Sequence, residues 1–145
     1  MCRFTGPYCG FAPQEDWDAA VNFTLNVVLS DRRTEHLANT VTTGHPMGGM
    51  GGDPGWDIER RDPLPSGDLP EYPGWPPGAR FLVSVDPGCY ELAHPDCYLD
   101  APTFFTYVRN ALARYVAKHP ERAAEAETVL AAMRRSEAGP APDAK

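Results

Sequence analysis

Cys89, His94 and Cys97 fall within one short stretch, GCYELAHPDCYLD, and by type they could do covalent or metal chemistry. A thiol beside an imidazole can act as a nucleophile with its own general base. Cys and His together are also a zinc-ligating set. The spacing argues against the second use. Six residues separate Cys2 from Cys9 and seven separate Cys89 from Cys97, whereas a zinc knuckle holds paired ligands about two to four residues apart. No basic run or helix start flanks Cys89 to lower its thiol pKa. Cys97, shortly before an expected helix, is better placed. With His45 as a further ligand or base, these residues define one reading, a small Cys/His-dependent enzyme or metal-binding protein. The competing reading is structural thiols, the ordinary state in a reducing compartment, and it is the one the neighbouring residues favour.

The glycines of GHPMGGMGGDPGW test a phosphate-binding loop. Such a loop follows a strand, opens a helix and carries Lys-Ser/Thr at its end. Here neither the basic residue nor a following helix is expected, so the stretch reads as a loop without that chemistry.

The carboxylates carry the strongest signal, through their distribution. Between Asp53 and Asp100 there are ten acids and three bases, Arg60, Arg61 and Arg80, and the difference equals the whole formal charge of −7. The same interval holds Trp56, Tyr72 and Trp75. Acids beside large aromatics suit a surface for a basic protein, with carboxylates steering the encounter and rings supplying desolvated anchors. The candidate contact residues are Asp53, Trp56, Asp57, Glu59, Asp62, Asp68, Glu71, Tyr72 and Trp75. Against this, Trp56 and Trp75 could be core residues pinning a long loop, and Trp56 sits in the one strand-like piece, Trp56–Arg60. Lys and Arg form no stripe or run, which argues against nucleic acid and against an anionic membrane surface.

The elements that would position these residues follow from hydrophobic period and turn chemistry. The chain has 145 residues, 16 of them Pro and 13 Gly, a size suited to one domain with its own core. No apolar run reaches the roughly 20 residues of a membrane span, and the N-terminus lacks the basic start and apolar core of a secretory signal. A soluble, cytoplasmic protein is expected. Residues 1–13 read as an irregular arm, and Gln14 to Ala20 as a helical turn carrying Trp17. Val21, Phe23, Leu25, Val27 and Leu29 alternate with polar residues, the period of a half-buried strand. With Glu35–Thr43 as its partner, this predicts a hairpin over 21–43; a helix fits the same residues less well. Residues 44–78 read as a long Gly/Pro-rich acidic loop. Phe81–Val85 reads as a strand, Asp86-Pro87-Gly88 as a tight turn and Tyr90–Leu92 as the return strand. Asp100 with Pro102 announces a helix N-terminus, and the helix buries Phe104, Phe105, Val108, Leu112, Tyr115 and Val116. Glu121–Arg135 reads as a second helix, and 136–145 as a disordered tail.

These elements predict a single α+β domain over 1–135, an antiparallel sheet of about four or five strands with two C-terminal helices packed on one side. The strand–DPG–strand–helix segment FLVSVDPGCYELAHPDCYLDAPTFFTYVRNALARYVAKHP, the acidic balance and the lack of catalytic motifs resemble the small acidic immunity proteins of bacterial polymorphic-toxin systems. The likeness covers about half of the chain and lies in layout. It implies a cytoplasmic, non-enzymatic protein without cofactor or metal that binds a cognate toxin domain and occludes its basic active-site cleft. A third reading is a scaffold subunit that uses the exposed side of the C-terminal helices.

Overall fold

A computed structural model describes residues 7–43, 46–49 and 55–138. Cys2, His45, Asp53 and residues 139–145 of the expected tail lie outside the described residues, while residues 136–138, expected in that tail, continue the last helix. The order of elements is α1 (Ala19–Ser30), α2 (Thr34–Thr43), β1 (Met47–Gly49), β2 (Trp56–Arg60), β3 (Phe81–Val85), β4 (Asp96–Leu99), α3 (Ala101–Lys118), a single 3-10 turn at Pro120–Arg122, and α4 (Ala123–Ala138). The class is α+β, as the sequence predicts, with four strands among the described residues in the order β1-β2-β3-β4, each antiparallel to its neighbours.

The expected N-terminal hairpin is a pair of helices. The alternation in Val21–Leu29 misleads because α1 is buried on almost every side. Asn22, Thr24 and Asn26, read as a solvent face, are buried with Val21, Phe23 and Leu25. A helix enclosed all round need show no one-sided stripe. Its polar residues are retained for a reason that local pattern does not reveal. Asn26 accepts the backbone N–H groups of Tyr8 and Cys9, at 2.9 Å each, and its amide donates to the Cys9 carbonyl at 2.8 Å. One core side chain thus satisfies the backbone of the N-terminal arm and fixes its path. The polar SDRR turn ends α1 rather than joining two strands. Arg32 has φ +56°, its N–H bonds the Leu29 carbonyl and the Arg33 N–H bonds the Val28 carbonyl, the pairing of a Schellman C-cap. In α2, Thr34, Leu37, Ala38 and Val41 share the buried side, a helical period that β-branched composition obscures.

The sheet begins earlier than expected. Residues 44–78 are not one loop, since β1 and β2 lie within them, and β2 is the strand-like piece around Trp56. Register pairs Gly48 with Asp57 and Gly49 with Trp56. Gly48 sits at φ +79°, and a Cβ there would stand 2.2 Å from the Trp56 carbonyl oxygen and 2.8 Å from its ring, so the position admits only glycine. β3 falls where predicted. The Asp86-Pro87-Gly88 turn also forms, with the Asp86 carboxylate accepting from the Gly88 N–H at 2.8 Å. The return strand, however, is Asp96–Leu99 rather than Tyr90–Leu92. Tyr90 instead tilts its ring onto Phe23 of α1, centroids 4.5 Å apart, and the segment is held by the Ala93 N–H on the Pro13 carbonyl.

Strand parity separates two faces. Trp56, Ile58, Phe81, Val83, Val85, Cys97 and Leu99 point inward, to the buried core. Phe81 stacks on Phe104 of α3 at 4.2 Å, and α1 lies against β3 and β4. α4 packs chiefly against α2. α3 starts as predicted, with the Asp100 carboxylate accepting the Thr103 N–H at 2.8 Å and Pro102 in the first turn. Among the described residues no helix is long and apolar enough to cross a membrane.

Candidate functional site

The other face of the sheet carries the candidate surface. Across β2, β3 and β4, register aligns Asp57 with Ser84 and Asp96, and one pair further along aligns Glu59 with Leu82 and Tyr98. Three carboxylates therefore share one face of a three-strand patch, with Tyr98 at its edge. On the β1 side Asp57 meets Gly48, which has no side chain to cover it. Glu59 and Asp96 are exposed, while Asp57 is half-buried. The buried Asp57 Oδ1 has no hydrogen-bond partner among the described residues. Burial, with the like charges of Glu59 and Asp96 added, raises the Asp57 carboxyl to about 6. This is what desolvation and like-charge repulsion do to an acid without a cation beside it.

The aromatic part of the surface is built by the 61–80 segment. Arg61, only 5% exposed, is the post on which this loop is tied. Its guanidinium donates to the Ala79 carbonyl at 2.6 and 3.0 Å and to the Pro70 carbonyl at 3.1 Å. Tyr72 and Trp75 lie over it, with centroids 5.7 and 5.5 Å from the guanidinium carbon. The two rings meet edge-on at 4.9 Å, and Trp75 reaches Tyr98 of β4 at 5.6 Å. A glycine- and proline-rich loop with few regular hydrogen bonds thereby brings two half-buried rings to the margin of the acidic patch.

The sequence-predicted contact residues divide accordingly. Asp57 and Glu59 stand on the patch itself, and Tyr72 and Trp75 at its margin. Asp68 and Glu71 are exposed on the loop, with Asp68 accepting from Ser66 at 3.0 Å. Asp62 is engaged elsewhere, bridging Arg60 at 2.5 Å and Arg80 at 3.2 Å. Trp56 is fully buried, because inward parity at the start of β2 delivers it to the core, so it presents no ring to a partner. Asp53 lies outside the described residues. Sequence reasoning missed Asp96 and Tyr98 as members of the patch. Alternation from Asp96 to Leu99 was the available signal, masked by His94-Pro95, which reads as a break.

The Cys/His residues are not brought into one constellation. Cys97 is buried on the inward side of β4 opposite Val83, while Cys89 and His94 are exposed in the connection before it. Burial, and secondarily the charge of Asp18, pushes the Cys97 thiol up to about 12. Desolvation and then Asp86 raise Cys89. Thiols shifted upward stay protonated at neutral pH and are weak nucleophiles and ligands. Among the described residues no group of three His, Cys, Asp or Glu side chains is placed to hold a metal ion.

Comparison with protein-family models, with characterised proteins and with solved structures finds no match.

Proposed function

We propose that this chain is a cytoplasmic binding protein of the immunity type, which neutralises a toxin domain by seating the outer face of its sheet over a basic cleft. The observation that carries the reading is Asp57, a carboxylate half-buried, unpaired at one oxygen and repelled by Glu59 and Asp96 on the outer face of the sheet, where Ser84 and Leu82 between them are buried. An arginine or lysine of a partner placed over the half-buried carboxylate would offset the repulsion from Glu59 and Asp96, so the surface gains more from a cation than an ordinary solvated acid does. The rings of Tyr72, Trp75 and Tyr98 supply the apolar margin that shields such a contact from water. In this reading the helical layer, both C-terminal helices included, lies on the opposite side and leaves the face free.

The test uses the double variant Glu59→Lys/Asp96→Lys, both exposed positions. The wild-type chain is used to capture its partner from the native host, and the partner is then expressed in a naive cell with either form. Wild type is expected to restore growth and the double variant to fail, with association slowed at low salt. Equal protection by both forms would sink the proposal.

A further inference from the structure

At the end of the helical layer, where β2 finishes and β3 begins, the fold forms an open cavity of about 780 Å³. It is lined by Arg60 at the end of β2, Asp62 just after it, Arg80 just before β3, Ala101 and Pro102 at the start of α3, and Arg135 near the end of α4. Three cations and one carboxylate give it a positive balance in a protein whose formal charge is −7. Such a reversal of sign inside a pocket is what a bound anion requires.

The cations are held in place. The Arg60 side chain is only 8% exposed. It donates to the Thr40 carbonyl at 2.8 Å and to Asp62 at 2.5 Å, and its guanidinium carbon lies 5.5 Å from the Phe81 ring centroid. Arg80 is fixed by the Arg61 carbonyl at 2.6 Å and by Asp62 at 3.2 Å. Each bond uses part of a guanidinium that has five donors in all, so both forks retain N–H groups for a further acceptor. Asp62 bonds both of them and offsets part of their charge. Arg135 is paired with no carboxylate among the described residues. The N-terminus of α3, capped by the Asp100 carboxylate, borders the same space, as do Thr42 and Ser136.

We propose that this cavity is a binding site for a phosphate-bearing small molecule, its phosphoryl oxygens shared by Arg80 and Arg135 and its body resting against Pro102 and Phe105. Guanidinium forks match the oxygens of a phosphoryl group in pairs, and the volume suits a compact metabolite rather than a bare ion. The site is on the helical side of the sheet, away from Asp57, Glu59 and Asp96, and does not depend on the function proposed above.

Pyrophosphate, inorganic phosphate and adenosine monophosphate are titrated separately into the full chain at constant ionic strength, read by calorimetry and by amide shifts. Saturable binding is expected, tighter than about 1 mM for at least one of them, with shifts at Arg80, Ala101 and Arg135. A response to adenosine monophosphate above that to phosphate and pyrophosphate assigns the body as well as the charge. Arg135→Ala, an exposed position, is expected to weaken binding about tenfold, the worth of one charge-assisted contact. Asp62→Asn is expected to strengthen it several-fold by removing the competing carboxylate. No saturable binding up to about 10 mM, or the same affinity in Arg135→Ala, would overturn the assignment.

Discussion

Replacing Asp57 by asparagine is expected to stabilise the protein at neutral pH and to leave it nearly unchanged in acid. In the folded chain this carboxyl is raised to about 6 by burial and by its acidic neighbours, whereas in the unfolded chain it titrates near the ordinary value of about 3.9. Between those values the folded state holds more protons than the unfolded state, so stability falls as pH rises through the window. The penalty is fully present above about pH 7 and absent below about pH 4. From 3.9 to 6 the full conversion is about 3 kcal/mol. Asp57 is half-buried, and screening by water brings this down to about 1–2 kcal/mol, or roughly 3–6 °C in melting temperature for a chain of this size. Asparagine keeps the size and removes the charge, so the variant should lack this component of the pH dependence. Urea unfolding of both proteins at several pH values checks it: the stability difference should open between acid and neutral pH. A difference that is constant with pH, or a variant less stable than wild type at pH 7, would refute the argument that Asp57 is held against its solvation. A cation docked on Asp57 lowers its pKa, so association near pH 6 should release protons, visible as a binding enthalpy that changes with buffer ionisation heat.

Two further substitutions test how the surface is held. Arg61→Ala removes the post of the 61–80 loop and leaves the Ala79 and Pro70 carbonyls without their donor. A loss of about 3–4 kcal/mol is expected, with the Trp75 emission moving to the red as its ring leaves Tyr98; Arg61→Lys should recover only part, since an ammonium cannot span the same fork. Asn26→Ala orphans two buried N–H groups and one carbonyl of the N-terminal arm. It should cost about 2–4 kcal/mol in denaturant unfolding and speed hydrogen exchange at Tyr8 and Cys9 well beyond the rest of the core.

What could be read from the sequence depended on how each element is buried. α3 and β3 have clear solvent or turn boundaries, so period, Asp100 and the Asp-Pro-Gly turn located them. α1 was illegible for the opposite reason: enclosed on nearly all sides, it is not required to show a stripe, and chance alternation read as a strand. Asn26 looked like surface because its purpose, satisfying the backbone of residues far along the chain, is not a local property. The acidic surface was visible as an excess of charge between Asp53 and Asp100, but its composition was not. Whether Asp96 stands beside Asp57 depends on where the return strand starts, and a strand at Tyr90–Leu92 would not have put it there.

The arginines make the same point more sharply. Arg60 and Arg61 are adjacent, and in the sequence they only dilute an acidic run. At the end of β2, parity sends them to opposite sides of the sheet. Arg61 turns outward, where Tyr72 and Trp75 close over it and the loop is tied down beside the acidic patch. Arg60 turns inward, onto Phe81, and with Arg80 and Arg135 makes the interior of the cavity positive. A single net charge for the interval therefore describes neither surface. The alternation of a five-residue strand divides one mixed run into an acidic face suited to a cation and a basic pocket suited to an anion. Shifting β2 by one residue would exchange the two sides of Asp57, Glu59 and Arg60 together, burying the carboxylates against the helical layer. The inward packing of Trp56 and Ile58, fully buried, opposes that slip, so the aromatic that does not touch a partner is the one that fixes the register of the residues proposed to do so.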